Sequence, residues 1–389
     1  MTTRTAPLGQ PDLAPTPGRP FGIYIHVPFC ATRCGYCDFN TYTPAELGGA
    51  NPEGWLAALR TELRLAAERV GAPVQTVFVG GGTPSLLGGA GLRAVLDAVR
   101  DNFELGADAE VTTEANPEST SPELFATLRD AGYTRISLGM QSVAPHVLAV
   151  LNRAHSPGRA PAAVAEARAA GFEHVNLDLI YGTPGESDDD LLRSVEAAVH
   201  AGVDHVSGYA LVVEEGTALA RRVRRGEVAA PDDDILAHRY ELLDATLSAA
   251  GYRWYEVSNW SRPGGECRHN LGYWDGGEWW GAGPGAHGFL GVTRWWNIKH
   301  PNAYAQRLAE GALPIADSEV LGAQDRHTED VMLRLRLRSG LAIEDLAGDE
   351  RARVPEIVAD GLLDTVGERV VLTDRGRLLA DGVVRTLLA

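Results

Sequence analysis

Six runs rich in β-branched and aromatic residues, at 21–27, 74–79, 110–113, 134–138, 174–180 and 205–213, recur along the chain. Between them lie Ala/Leu/Arg stretches with helical spacing, such as 55–70, 92–103, 162–170 and 191–201. Strands joined by helical crossovers must run parallel and connect right-handedly, so the pattern specifies an α/β protein, either doubly wound or closed into a barrel. The helix ends agree with this reading. Ser121 precedes Pro122 and Glu123, and Ser187 precedes three aspartates, which sets a cap hydroxyl and carboxylates at positive helix ends. Gly132, Gly171, Gly202 and Gly251 stand where helices stop.

The residues of unusual chemistry sit just after these strands. A cysteine loop follows the first, Gly80-Gly81-Gly82-Thr83-Pro84 the second, Glu114 and Asn116 the third and Gln141 the fourth. Asp178 lies near the end of the fifth, and Tyr209 and Ala210 lie in the sixth. The carboxyl ends of parallel strands share one face, which is where α/β barrels and open sheets bind ligands. One site built from six loops is expected.

With 389 residues, the chain has length for two domains or for one large α/β unit with an appendage. Residues 1–20, with five prolines, read as a disordered leader, and 21–255 as the α/β core. Residues 256–324 form a Trp/Gly-rich segment; seven of the eight tryptophans lie between Trp254 and Trp296, which sets it apart from the core. Residues 325–389 read as short helices, a hairpin at 362–372 and a last helix, the order of a winged-helix-like module. A formal net charge of −17 repels phosphate backbones, and acids outnumber arginines in the last segment too, so nucleic acid is excluded as a main partner. The chain shows neither a spanning apolar stretch nor a signal core, and a cytoplasmic location is expected.

Three of four cysteines, Cys30, Cys34 and Cys37, fall within eight residues, a poor disulfide framework and a good metal site. Three thiolates on one short loop hold three irons of a four-iron, four-sulfur (4Fe–4S) cluster and leave the fourth iron free to chelate a ligand. A zinc knuckle with a fourth ligand from elsewhere uses the same residue types, but the spacing and neighbours favour the cluster. His26-Val27-Pro28-Phe29-Cys30 through Cys37-Asp38-Phe39 resembles the cluster loop of radical S-adenosylmethionine (SAM) proteins. That resemblance implies a radical SAM partial (β/α)6 barrel, with a C-terminal α+β region ending in the winged-helix-like module. It also implies that the open iron binds SAM, whose sulfonium the cluster can cleave to a 5'-deoxyadenosyl radical.

Over about residues 21–385 the chain is similar to the oxygen-independent coproporphyrinogen III oxidase family and its heme-chaperone branch. The resemblance places Tyr24 and Tyr36 beside SAM, and Gly81, Gly82 and Thr83 in the glycine-rich turn along its methionine part. It gives Glu114, Gln141, Arg153, Asp178 and Ala210 further contacts, and His287 one in the loop closing over the site. Taken singly, Glu114 reads equally as an ion-pair partner, Arg153 as a solvated helix residue and Asp178 as a strand-end cap; their joint placement over one sheet edge carries the assignment.

Two features separate chaperone from oxidase. The oxidases continue to another cysteine two residues after the third, where this chain has Phe39, which neither ligates metal nor donates a proton. Cys267-Arg268-His269-Asn270-Leu271-Gly272-Tyr273-Trp274 contains the His-Asn-x-x-Tyr-Trp motif that the chaperone branch uses toward heme. A neutral imidazole and a thiolate are both good axial ligands, and aromatic rings cover a porphyrin face. His269 is the preferred heme ligand and Cys267 the second; the bland alternative is a histidine that braces a turn within an aromatic core. The expectation is therefore a heme chaperone carrying a 4Fe–4S cluster, SAM and heme, which delivers heme to acceptor hemoproteins, including membrane-associated respiratory proteins, and forms a cluster-dependent homodimer. The competing readings are an oxygen-independent coproporphyrinogen III dehydrogenase and a cluster-bearing regulator that binds partners through its C-terminal module.

Overall fold

The computed structural model describes residues 13–389. Six parallel strands, β1 (Phe21–Val27), β2 (Val74–Gly81), β3 (Leu105–Ala115), β4 (Arg135–Gln141), β5 (His174–Tyr181) and β6 (His205–Ala210), pair in sequence order. Each connection carries a helix. Ser121 caps the helix Pro122–Ala131 by accepting from the Leu124 N–H, and Ser187 with Asp190 closes a capping box on Asp188–Ala201. Gly132 and Gly202 end these helices in the left-handed region.

Along the strands the outward positions are apolar. Val77, Val79, Val111, Ile136, Leu138, Val175, Leu177 and Val206 are buried under the helices. The inward positions are polar instead: Thr112 and Glu114, Arg135 and Ser137, Asn176 and Asp178, His205 and Ser207. A closed barrel normally fills this space with branched apolar side chains. Here the polar inward face encloses a cavity, lined from the loops after β1 and β2 round to β6, so the six strands curve into an arc.

The sheet continues past both ends of that arc. On the β6 side, β7 (Arg253–Glu256) and β8 (Asn259–Ser261) add antiparallel. On the β1 side, β9 (Glu278–Ala282) pairs parallel, followed by β10 (His287–Leu290), β11 (Thr293–Asn297) and β12 (Ile315–Val320), each antiparallel to its neighbour. The Trp/Gly-rich segment 256–324 is therefore not a separate body, as its composition suggested. Its strands extend the main sheet, and Trp280, Trp295 and Tyr304 lie in one core with Leu59 and Leu63. Glu62 ties this union, accepting from Tyr304, Asn297, Trp280 and the Gly283 N–H.

The expected disordered leader needs correcting over 13–20. Leu13 is buried, the Thr16 N–H donates to the Glu278 carboxylate at 2.9 Å, and Arg19 donates to the Gly276 carbonyl at 3.0 Å. Backbone and guanidinium donors on partners in β9 and in the turn before it offset the ordering cost that proline-rich composition alone leaves uncompensated. The remainder of that leader lies outside the described residues. The chain ends in a unit with its own core of Val331, Leu335, Leu341, Leu346, Ile357, Leu363 and Val370. It holds the helices Ala323–Arg334 and Gly348–Ala359 and a small antiparallel sheet of β13 (Leu341–Ala342), β14 (Leu363–Val366) and β15 (Arg369–Leu372). Among the described residues no helix is long and apolar enough to cross a membrane.

Candidate cofactor and heme site

The cavity, about 800 Å³, opens at the carboxyl ends of β1–β6. Cys30, Cys34 and Cys37 lie on one wall, all free and partly exposed. Backbone bonds fix the loop that carries them. The Cys30 N–H donates to the Tyr42 carbonyl at 3.0 Å and the Gly35 N–H to the Leu151 carbonyl at 3.0 Å. Donors also aim at the sulfurs: the Thr83 hydroxyl at Cys30 Sγ, 3.7 Å, and Arg153 Nη1 at Cys34 Sγ, 3.3 Å. Burial pushes the Cys30 and Cys37 thiols up. Thiols so placed become thiolates when an iron cluster binds them, and hydrogen bonds to sulfur are what tune such clusters. Among the described residues no His, Cys, Asp or Glu side chains converge in threes as ligands of one ion must. A cluster spreads its thiolates over separate irons, so this donor set fits a cluster better than zinc.

The glycine turn after β2 is packed under that loop. The Gly82 N–H donates to the Val27 carbonyl at 2.8 Å and the Thr83 N–H to the Phe29 carbonyl at 2.8 Å. A Cβ on Gly82 would lie 2.5 Å from the Phe29 carbonyl oxygen, so only glycine lets the two loops approach. Gly81, at φ 111°, donates its N–H to Glu114 Oε2 at 3.0 Å.

Glu114, Gln141, Arg153, Asp178, Ala210 and Tyr36 all line the cavity with Gly81, Gly82 and Thr83, so the structure brings together most of the residues singled out in the sequence. Burial, with Asp178 nearby, pushes the Glu114 carboxyl up to about 8. Burial raises Asp178 as well, against hydrogen bonds from Ser207, Ser137 and Asn176. Gln141 holds a left-handed backbone, φ 65°, unusual for a side chain with a Cβ and characteristic of residues aimed at a ligand. Arg153 also donates to the Gly139 carbonyl at 3.1 Å and so spans the fourth strand and the cysteine loop.

Two expected contacts are not part of this cavity. Tyr24 is turned beneath its wall, with its hydroxyl 3.1 Å from His26 Nδ1 and its ring stacked on Phe78. His287 lies on β10 and stacks on Trp296, outside the lining.

The motif near residue 270 closes the opposite, inner end. Cys267 and Asn270 line the floor, at the start of a short helix, Arg268–Trp274, that packs against β1 and β2. His269, the preferred heme ligand in the sequence, is held by its neighbours in this structure. Its ring is 3% exposed, Nδ1 is 2.8 Å from the Thr76 hydroxyl, Nε2 is 2.7 Å from the Tyr273 hydroxyl, and Phe78 stacks on it at 5.3 Å. With both nitrogens engaged and burial lowering its pKa to about 4, this is a neutral imidazole with no free lone pair for iron. Cys267 is equally buried, its thiol 3.5 Å from Glu110 Oε1 and pushed up by burial.

Residues not singled out in the sequence join mouth to floor. Asn176 donates to Asp178 at 2.7 Å, its carbonyl oxygen meets His205 Nδ1 at 2.7 Å, and His205 Nε2 meets the Tyr255 hydroxyl at 2.8 Å. The Cys267 N–H reaches that hydroxyl at 3.4 Å. The signal was present as polar residues two apart in strands that otherwise read as apolar, placing them all on the inner face.

Residues 24–198 match the radical SAM superfamily. The coproporphyrinogen III oxidase HemN of Escherichia coli, a radical SAM enzyme, superposes with a TM-score of 0.83 at 24% identity over 96% of this chain and 91% of that one, which shows the shared fold. Fold, cysteine loop and cavity thus define a radical SAM protein. The heme chaperone HemW of Mycobacterium tuberculosis H37Rv is 73% identical over 389 residues, all of both chains. That of Escherichia coli K12 is 35% identical, over 95% of this chain and 98% of its own. The chain belongs to the HemW family.

Proposed function

We propose that the chain is a heme chaperone: it binds heme and passes it to acceptor hemoproteins while carrying a 4Fe–4S cluster and SAM. The observation that carries this is the end-to-end identity of 73% with a curated heme chaperone. Cys30, Cys34 and Cys37 would hold the cluster, leaving one iron open toward the cavity. When bound and reduced, the cluster supplies an electron able to cleave the SAM sulfonium. Gly81, Gly82 and Thr83 would present backbone to the methionine part and Tyr36 its ring to the adenine. Glu114, Gln141, Arg153, Asp178 and Ala210 would hold the remaining polar surface. Phe39, where the catalytic oxidases continue to a cysteine, supplies neither ligand nor proton, which favours carriage of heme over decarboxylation of a porphyrinogen.

A cytoplasmic location, membrane-associated respiratory acceptors and a cluster-dependent homodimer complete the proposal. Tyr24 and His287 belong to it only as residues that support the cavity from outside. Cys267 belongs to it as a thiol on the cavity floor, and His269 as an imidazole that would reach iron only once its bonds to Thr76 and Tyr273 had broken. The test is anaerobic reconstitution followed by heme titration and mixing with an apo-hemoprotein. The expected result is a Soret band saturating near roughly one heme per chain, transfer to the acceptor, and no decarboxylated product from coproporphyrinogen III. Zinc in the cysteine site, or no saturable band, refutes it.

A further inference from the structure

We propose that the cleft between the barrel and the C-terminal unit receives an extended acidic segment of a partner protein, which adds to the open edge of β7 and sets its carboxylates against Arg253 and Arg338. The inference goes beyond the heme-chaperone reading and does not depend on it. The cleft, about 570 Å³, is walled by Arg253 and Trp254 of β7 on one side and by Arg338, Val371 and Leu372 on the other. That volume falls within the roughly 300–1,000 Å³ of ligand sites, so it takes a few residues of chain rather than a folded domain. β7 is the last strand of the sheet. On its inner neighbour, β8, the Ser258 carbonyl and the Arg262 N–H bond to Gly208 in β6 and to Asp204 just before it. Backbone direction alternates along a strand, so Ser261 faces the other way, toward β7, where it pairs with Arg253. Trp254, the next residue, therefore turns its N–H and C=O to the outer edge, and among the described residues neither meets a backbone partner there. One residue on, the edge is closed, because the Arg338 N–H donates to the Tyr255 carbonyl at 2.9 Å. An open stretch of strand edge inside a cleft is a template for an added strand.

Charge selects the segment. Arg253 and Arg338 are exposed, and among the described residues neither guanidinium has a partner. The other charged groups of the lining are Asp244, Asp374 and Arg377, and they serve one another: Arg377 holds Asp244 at 2.8 Å and Asp374 at 2.6 Å. That trio carries a single net negative charge, so the two free arginines make the lining positive. Arg262, over the Tyr252 ring at 4.7 Å, and Arg369, on the Ser339 and Gly340 carbonyls, stand beside the cleft, and among the described residues neither has a carboxylate partner. Asp204, whose carbonyl accepts from the Arg262 N–H, has its carboxylate taken by Arg168 and His174. Asp364, opposite Val371 in the hairpin, does not line the cleft. On a chain of net charge −17 this basic cleft stands apart. The overall field repels a long polyanion such as nucleic acid, but salt screens it within about 8–10 Å, so a short acidic segment meets the arginines first. A small anion would satisfy the guanidinium groups and leave the strand edge open; an extended acidic segment satisfies both.

The test uses the full chain with its cluster reconstituted and a fluorescein-labelled peptide of about six residues, a common strand length, in which glutamate and valine alternate. Its anisotropy should rise to saturation, with an affinity about tenfold or more above that of the matching lysine and valine peptide, and the affinity should fall as salt rises. Arg253→Ser/Arg338→Ser should lower it about tenfold or more, with thermal midpoint and iron content unchanged. Arg253→Glu alone, a single exposed change, should act in the same direction. Methylating the backbone nitrogens of the peptide should abolish binding, since strand addition needs its N–H groups. Equal affinity for the lysine peptide, or no binding of either, overturns the inference, as does full affinity in the variants or for the methylated peptide. Displacement by inorganic phosphate at a concentration equal to that of the peptide makes the cleft a small-anion site and overturns it too. Self-association of wild type that the double variant loses makes a second copy of the chain the occupant, which also overturns the partner assignment.

Discussion

At the scale of single residues, the molecule sets burial against hydrogen bonding, and Glu62 shows the contest most sharply. Both its oxygens accept two bonds each, from Trp280 and Asn297 and from Gly283 and Tyr304, an arrangement suited to a carboxylate. Burial nonetheless pushes its pKa from 4.5 to about 7. A carboxyl raised on folding binds its proton more tightly in the native state. Its contribution is therefore full below the ordinary value near 4.5 and is lost as pH rises through about 7. The stability difference between wild type and Glu62→Gln should shrink by up to about 3 kcal/mol between pH 4.5 and pH 7. Denaturant midpoints at the two pH values check this, and a difference that grows with pH would show that the four donors win over burial. His269 poses the same contest with the opposite outcome for the heme hypothesis. Replacing Thr76 by Val frees Nδ1 while keeping the imidazole, so a measurable gain in heme affinity would identify His269 as a ligand that waits behind its tether. No gain, with the fold intact, makes His269 a brace of the cavity floor rather than a heme ligand.

At the scale of elements, the glycine turn after β2 fixes the cysteine loop after β1, and neither can be moved alone. Gly82→Ala places a methyl group 2.5 Å from the Phe29 carbonyl, a backbone atom that cannot rotate away. The cost is about 1–3 kcal/mol, and it falls on the loop that bears Cys30. Iron content after anaerobic reconstitution and SAM affinity should both drop, while far-ultraviolet circular dichroism stays as in wild type; retained iron would show that the loop relaxes freely. This is also where the sequence was most legible. Chemistry-bearing residues placed just after strands end at one face by the geometry of parallel sheets, so Cys30, Gly82, Glu114, Gln141 and Asp178 were found together. What sequence spacing leaves open is the direction of a side chain on a short, irregular element. Within the helix Arg268–Trp274, Asn270 faces the cavity floor while His269, one residue earlier, turns onto Thr76 and Phe78, and no periodicity over seven residues distinguishes the two. The composition shift at 256 misled for a related reason. Tryptophans mark a different kind of packing, and here Trp280 and Trp295 pack into the same core as the barrel helices.

At the scale of the whole molecule, a barrel whose sheet runs on into its own C-terminal strands carries one unit that is docked rather than merged. That unit has its own core and touches the rest through polar and cationic contacts. Arg377 is the chief of these. Its guanidinium takes Asp244 in two bonds, at 2.8 and 3.2 Å, lies over the Trp254 ring at 4.7 Å and over Tyr240 at 5.5 Å, and is almost fully buried. Arg294 adds a pair to Glu329, and the Arg338 N–H donates to the Tyr255 carbonyl. Removing one partner of a buried, bidentate and ring-stacked pair costs about 3–5 kcal/mol, because Asp244 keeps its charge and loses its cation. Arg377→Ala should therefore loosen the docking without unfolding either body. Limited proteolysis should cut earlier near residue 322, and thermal unfolding should broaden or split. Arg377→Lys should rescue only in part, since an ammonium neither forks onto a carboxylate nor stacks flat on indole. Iron content and SAM affinity should not change, because neither Arg377 nor Asp244 lines the cavity. Heme transfer is the informative readout. If the docked unit serves only stability, transfer in the variant follows the folded fraction. A transfer rate that changes while heme affinity holds constant assigns the C-terminal unit to the handover, and with it a reason for a polar hinge in a molecule that otherwise closes its joints with tryptophan.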